Sequence, residues 1–113
     1  MPCVDAAVTQ MRKGLLEYCV MALLVSAPRY GYELVNQLAK VDGMLTTEGT
    51  IYPLLARLRR DRLVATEWRE SSGGHPRKYY RLTIEGDQAL ASFRRQWATL
   101  RSAVDEILKG GKP

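Results

Sequence analysis

Few residues of this chain of 113 are equipped for covalent chemistry. It holds one histidine, His75, and two cysteines, Cys3 and Cys19, without CxxC spacing. That set cannot assemble a convincing metal site. No nucleophile–base pair, carboxylate pair or phosphate-binding loop appears either, so neither an enzyme nor a cofactor protein is expected. The chemistry left to the chain is that of its cations. Eight basic residues and three acids lie between residues 57 and 81, against nine of each elsewhere, so the whole net charge of +5 falls in that stretch. A basic stretch of this kind suits a polyanion, and double-stranded DNA is the first candidate partner.

The stretch begins inside "TEGTIYPLLARLRRDRL", residues 47–63, which reads as a helix with Thr47 as N-cap and Glu48 well placed in its first turn. With Ile51 as the inward reference and about 100° per residue, Leu54, Leu55 and Leu58 fall on the buried stripe. Gly49, Pro53, Ala56 and Arg60 lie opposite, flanked by Thr50 and Arg57 on one side and Tyr52 and Arg59 on the other. The outward face is slim at its start and basic at its end. Gly49 and Pro53 are poor interior helix residues, and both make sense where backbone must approach a surface closely. Pro53 cannot donate to the carbonyl of Gly49, so a small bend is expected. Hydroxyls of Thr50 and Tyr52 suit phosphate oxygens, and Arg57 and Arg60 are long enough to reach base edges or flanking phosphates.

Other elements must hold this helix in place. Met11, Leu15, Tyr18, Cys19, Ala22 and Leu23 recur at helical steps and predict a first helix over about 9–26, ended by Pro28. Cys19 then sits on an apolar face as a buried free thiol. "YGYELVNQLAKV" predicts a second helix with Leu34, Val35 and Leu38 inward, stopping near Asp42–Gly43. "LVATEWR" and "KYYRLTI" alternate, and the turn formers "ESSGGHPR" between them make a β-hairpin. Gly73, Gly74 and Pro76 form its slim tip, beside His75, Arg77 and Lys78. Thr83 caps a fourth helix running to about Leu108, where Gly110–Gly111 end it. The expected fold is mainly α with a two-stranded hairpin, a winged helix-turn-helix over residues 9–84 followed by a dimerisation helix over 85–108. In such modules the helix corresponding to the third one enters the major groove.

The fourth helix carries a separate signal. Leu90, Phe93, Trp97, Leu100, Val104 and Ile107 are spaced 3, 4, 3, 4 and 3, a heptad seam. Two and a half heptads are too few to stand alone, so the seam predicts a homodimer in which the first helix, through Leu15 and Tyr18, shares the interface. Trp97 would meet or nearly meet its symmetry mate, with Leu15, Tyr18 and Cys19 as apolar walls. A slot there would take a flat hydrophobic or aromatic effector.

"LVSAPRYGYEL", "TEGTIYPLLARLRRDRL" and "GGHPRKYYRLTIEG" together resemble the PadR family of bacterial transcriptional regulators, in its subfamily with one long C-terminal helix. The resemblance spans Met11 to Leu108. It implies a homodimeric repressor on inverted-repeat operators, with first and last helices in the interface. It also implies DNA contacts at Thr50, Tyr52, Arg57 and Arg60 on the third helix. Gly74, His75, Arg77 and Lys78 would contact DNA from the wing, and Tyr32 from the start of the second helix. Some relatives hold an aromatic ligand against a tryptophan corresponding to Trp97. The chain departs from the family at Arg62, where glycine is usual and the left-handed helix end must fall to Asp61 or be built otherwise. It departs again at His75, where the wing often carries a further basic residue. The alternative reading is a winged-helix protein-interaction module using its basic face on an acidic partner. With no signal peptide and no long apolar run, the expected location is the cytoplasm, without a membrane.

Overall fold

The computed structural model describes residues 2–110 and orders seven elements. They are α1 (Pro2–Leu23), β1 (Arg29–Tyr30), α2 (Gly31–Ala39), α3 (Glu48–Arg60), β2 (Val64–Arg69), β3 (Arg77–Leu82) and α4 (Ile84–Leu108). The sheet has three strands in the order β1–β3–β2, all antiparallel, rather than the two expected. The extra strand is two residues long, Arg29 opposite Tyr80 and Tyr30 opposite Tyr79. A pair of residues carries no alternation to reveal it.

The core gathers Leu16, Val20, Met21 and Leu24 of α1, Leu34 and Leu38 of α2, and the α3 stripe Ile51, Leu54, Leu55 and Leu58. Val64 and Tyr80 close it from the sheet, and Leu90 from α4. The α3 stripe is the one the sequence predicts. On α1 the phase differs: Met11 and Ala22 are exposed, whereas Leu15, Tyr18, Cys19 and Leu23 are half-buried. Two apolar faces run side by side along this helix, and helical spacing alone cannot say which one the core takes. Cys19 is a free thiol, half-buried rather than enclosed, and burial pushes its pKa up; the side chain of Cys3 lies outside the described residues. The helix also starts at Pro2 instead of near residue 9, and it stops at Leu23, whose carbonyl accepts from Arg29 Nε at 2.8 Å.

The end of α3 is built around a left-handed residue. Asp61 keeps φ −84°, and Arg62 takes φ +64°. Leu63 N–H donates to Leu58 O at 2.9 Å and Arg62 N–H to Arg59 O at 3.0 Å, a Schellman ending on a non-glycine residue. The turn is then tied to α4. The Thr83 hydroxyl lies 2.8 Å from Arg62 O and 3.0 Å from Leu63 O, while its oxygen accepts from Gly86 N–H at 2.9 Å. Gly86 is needed for this approach, since a Cβ there would stand 2.1 Å from Leu63 O. Thr83 is thus both the expected N-cap of α4 and the staple that fixes α4 to the end of α3.

Candidate nucleic-acid interface

Thr50, Tyr52, Pro53, Arg59 and Arg60 are exposed on α3, on the side away from its buried stripe. Thr47 is the N-cap by position, but its hydroxyl donates to Thr50 Oγ1 at 3.4 Å instead of capping the backbone. The first-turn N–H groups of α3 therefore keep no side-chain cap. At the start of α2, Tyr30 N–H donates to Glu33 Oε1 at 3.1 Å, which anchors the turn that presents exposed Tyr32. The intervening Gly31 has a steric reason: a Cβ there would lie 2.5 Å from Tyr52 Cε1. The tyrosine of the α3 motif therefore lies against the glycine of the α2 motif. Burial, then Glu48, raises the Tyr52 pKa. Burial, then Tyr52, raises that of Tyr80, with Arg59 opposing. Both phenols remain hydrogen-bond donors at neutral pH.

The wing is more ordered than its turn-rich sequence suggests. Ser71 Oγ donates to His75 O at 2.6 Å, Gly74 N–H donates to Ser71 O at 3.0 Å, and Gly74 takes φ +83°. On the outer face of the hairpin Glu67 pairs with Arg69 at 3.1 Å and Arg81 at 3.9 Å. The Arg77 guanidinium stacks 4.5 Å from the centre of the Tyr30 ring, and Lys78 Nζ sits 5.9 Å from that of Tyr80.

Arg57 is engaged within the protomer. Its Nε donates to Glu17 Oε1 at 2.6 Å, so its guanidinium is paired with a carboxylate of α1, forty positions away in sequence. A phosphate would have to displace that carboxylate, and Arg57 is not a free contact as it stands. Arg60 is freer, with Asp61 at 3.8 Å and most of its side chain in solvent. Among the described residues Arg59, Arg62, Arg77 and Lys78 form no ion pair. The charge available to a partner is thus narrower than the count over residues 57–81 suggests, and it lies on the outer side of α3 and the root of the wing.

These two places meet. Tyr52 of α3 shares a groove of about 390 Å³ with Arg77, Lys78, Trp68 and Tyr80 of the hairpin and with Tyr30 and Gly31. No acid lines it. Trp68 is not among the site residues expected from the sequence, although the alternation of Val64, Thr66 and Trp68 places all three on one sheet face. Thr50, Arg60, Gly74 and His75 do not line this groove, and remain on the exposed helix face and the wing tip.

The seam of α4 divides in two. Leu90 is 3% exposed within its own protomer's core, so it offers almost nothing to a second copy and leaves the expected interface set. Tyr18, Phe93 and Trp97 form a column of near-parallel rings, 4.0 Å and 6.0 Å between centres. Leu100, Val104 and Ile107 are exposed beyond it. Two hollows border these rings within the single chain. A hollow of about 570 Å³ includes Leu15, Trp97 and Leu100, and another of about 210 Å³ includes Tyr18, Cys19 and Trp97.

Residues 20–92 match the model of the transcriptional regulator PadR-like family. The chain is 44% identical to a PadR-like transcription factor from Bacteroides fragilis, covering 91% of this chain and 99% of that one, with a TM-score of 0.75. It is 38% identical to a PadR family transcriptional regulator from Eggerthella lenta, covering 95% and 93%, with a TM-score of 0.84. A PadR-like transcriptional regulator from Bacillus cereus is 37% identical, over 88% of this chain and 96% of that one, with a TM-score of 0.79.

Proposed function

The chain belongs to the PadR-like family of transcriptional regulators, and on that premise we propose that it is a repressor binding an inverted-repeat operator as a homodimer. The observation that carries the DNA reading is the acid-free groove shared by Tyr52 of α3 and Arg77 and Lys78 of the wing. In this reading α3 enters the major groove, with Thr50, Tyr52 and Arg60 toward the DNA. The tip residues Gly74 and His75 follow the adjacent minor groove or its backbone, and Tyr32 contacts a phosphate beside α2. Residues 9–84 form the DNA-binding part and residues 85–108 the dimerisation helix.

Leu100, Val104 and Ile107 support the dimer, because α4 carries them past the core and leaves them largely exposed on the single chain. A second copy related by a two-fold axis would bury them and set two α3 helices at a fixed spacing. The hollows beside Trp97 support a flat hydrophobic or aromatic effector that alters this spacing. Such a ligand must favour the DNA-incompetent dimer by a few kcal/mol to act as an inducer. The family and the absence of a helix long and apolar enough to span a membrane among the described residues support a cytoplasmic location.

Competition binding tests the function. The unmodified protein should prefer duplex from upstream of its own gene over random duplex by orders of magnitude. Equal, weak affinity for both, together with capture of an acidic protein, would transfer the basic face to a protein partner.

A further inference from the structure

Trp68 belongs to neither the core nor the wing tip. It lies on β2 opposite Lys78, on the sheet face that further along carries Val64 and Tyr80 into the core. Past that point the face runs out of neighbours, and 67% of Trp68 is exposed. A single exposed aromatic residue is ordinary. This one forms one side of a groove whose other residues include the Tyr52 ring, which lies close against Gly31, and two cations, Arg77 and Lys78.

The double helix dictates what would pass through that groove. Adjoining major and minor grooves of a duplex are separated by one sugar–phosphate strand. With α3 in the major groove and the β2–β3 tip at the minor groove, that strand must cross between them, over the root of the wing. Resting on the DNA reading above, we propose that the groove is a backbone clamp in which the Trp68 indole packs on the apolar face of a deoxyribose. Lys78 and Arg77 meet the flanking phosphate, and the Tyr52 hydroxyl donates to it. The ring stacking of Arg77 on Tyr30 orients its guanidinium without using up its N–H donors. The chemistry recognised is a deoxyribose with its phosphate, independent of base, so Trp68 contributes affinity rather than sequence preference.

The test uses a random-sequence duplex, on which a base-independent contact is fully visible. Trp68→Ala should bind roughly five- to tenfold more weakly, as expected for lost apolar burial, while the slope of log affinity against log salt stays unchanged. Lys78→Ala should lower that slope by about one, and Trp68→Phe should retain most of the affinity. In a Trp97→Phe background Trp68 is the remaining tryptophan, and its emission should change when duplex is added. Because the side chain is largely in solvent, these variants should fold, which thermal melts verify. Wild-type affinity for Trp68→Ala with unchanged emission overturns the clamp while leaving the DNA reading intact. So does a loss accompanied by a lower salt slope, or one confined to operator sequence. If the unmodified protein binds no duplex at all, the proposed function fails and the clamp with it.

Discussion

On α3, in the winged half of the molecule, the leucine and isoleucine side chains are covered and the arginines face outward. Ile51 and Leu55 are fully enclosed, while Arg59 and Arg60 stand in solvent further along the same helix. In the far half of α4 the relation is reversed: Leu100, Val104 and Ile107 are the exposed groups, outside the core formed by the described residues. Leu90 and Leu100 mark the boundary, ten residues apart on one seam, 3% and 57% exposed. The difference separates two tasks that a single hydrophobic pattern conceals. The first end of the seam holds the protomer together, and the second stays exposed on it, where the proposed dimer would form.

The largest expected effect sharpens that boundary. Leu90→Ala should cost about 2–5 kcal/mol of stability through the cavity it leaves. Leu100→Asp should leave the fold intact but place a charge in a dry interface between copies and yield monomers. Sedimentation with parallel melts separates the two outcomes. A Leu100→Asp protein that is still dimeric, or an unmodified protein that is a compact monomer, would break the comparison.

Salt probes the other half. If a dimer contacts roughly 6–10 phosphates, affinity should fall by about 10³–10⁵ between 50 and 200 mM salt. A flat titration would be incompatible with a DNA surface built on Arg59, Arg60, Arg77 and Lys78.

Next come the two arginines with opposite surroundings. Arg60→Ala should cost on the order of 1–3 kcal/mol and relax preference at one base pair in each half-site. Arg57 is held by Glu17, so Glu17→Gln should release it toward phosphate, raising affinity for any duplex and the salt slope by about one. Stability should change by no more than about 1 kcal/mol, as for other partly exposed ion pairs. Should Glu17→Gln instead weaken binding, the pair positions α3 rather than competing with DNA.

The smallest effect concerns a residue of neither half's function. Arg62→Gly should raise stability by about 1 kcal/mol, because glycine adopts φ +64° without the steric cost an arginine bears. A lowered melting temperature would mean the arginine side chain contributes more than its backbone strain costs.

The fold is most legible in the sequence where a pattern is long and local. The stripe Ile51, Leu54, Leu55 and Leu58 and the Thr83 cap were legible, because each depends on neighbours within a turn or so of helix. The core face of α1 was not, since Leu15 and Leu16 are both leucine and only tertiary packing chooses between them. The Arg57–Glu17 pair joins residues forty positions apart, which no local spacing reports. The rule that places glycine at a left-handed helix end is a preference, and Arg62 adopts that conformation within a turn stapled by Thr83. For the site, the cations of the wing were legible as charge, but their neighbour Trp68 read as one more hydrophobic residue. Its role depends on where the core stops along the sheet face.

The most direct test of a dimer bound through paired α3 helices is a hydroxyl-radical footprint on the genomic fragment that the purified protein binds most tightly. Two equivalent protected patches, related by two-fold symmetry and about one helical turn or ~10 bp apart, are the predicted result. A single patch without symmetry, or uniform protection that follows no sequence, would contradict it.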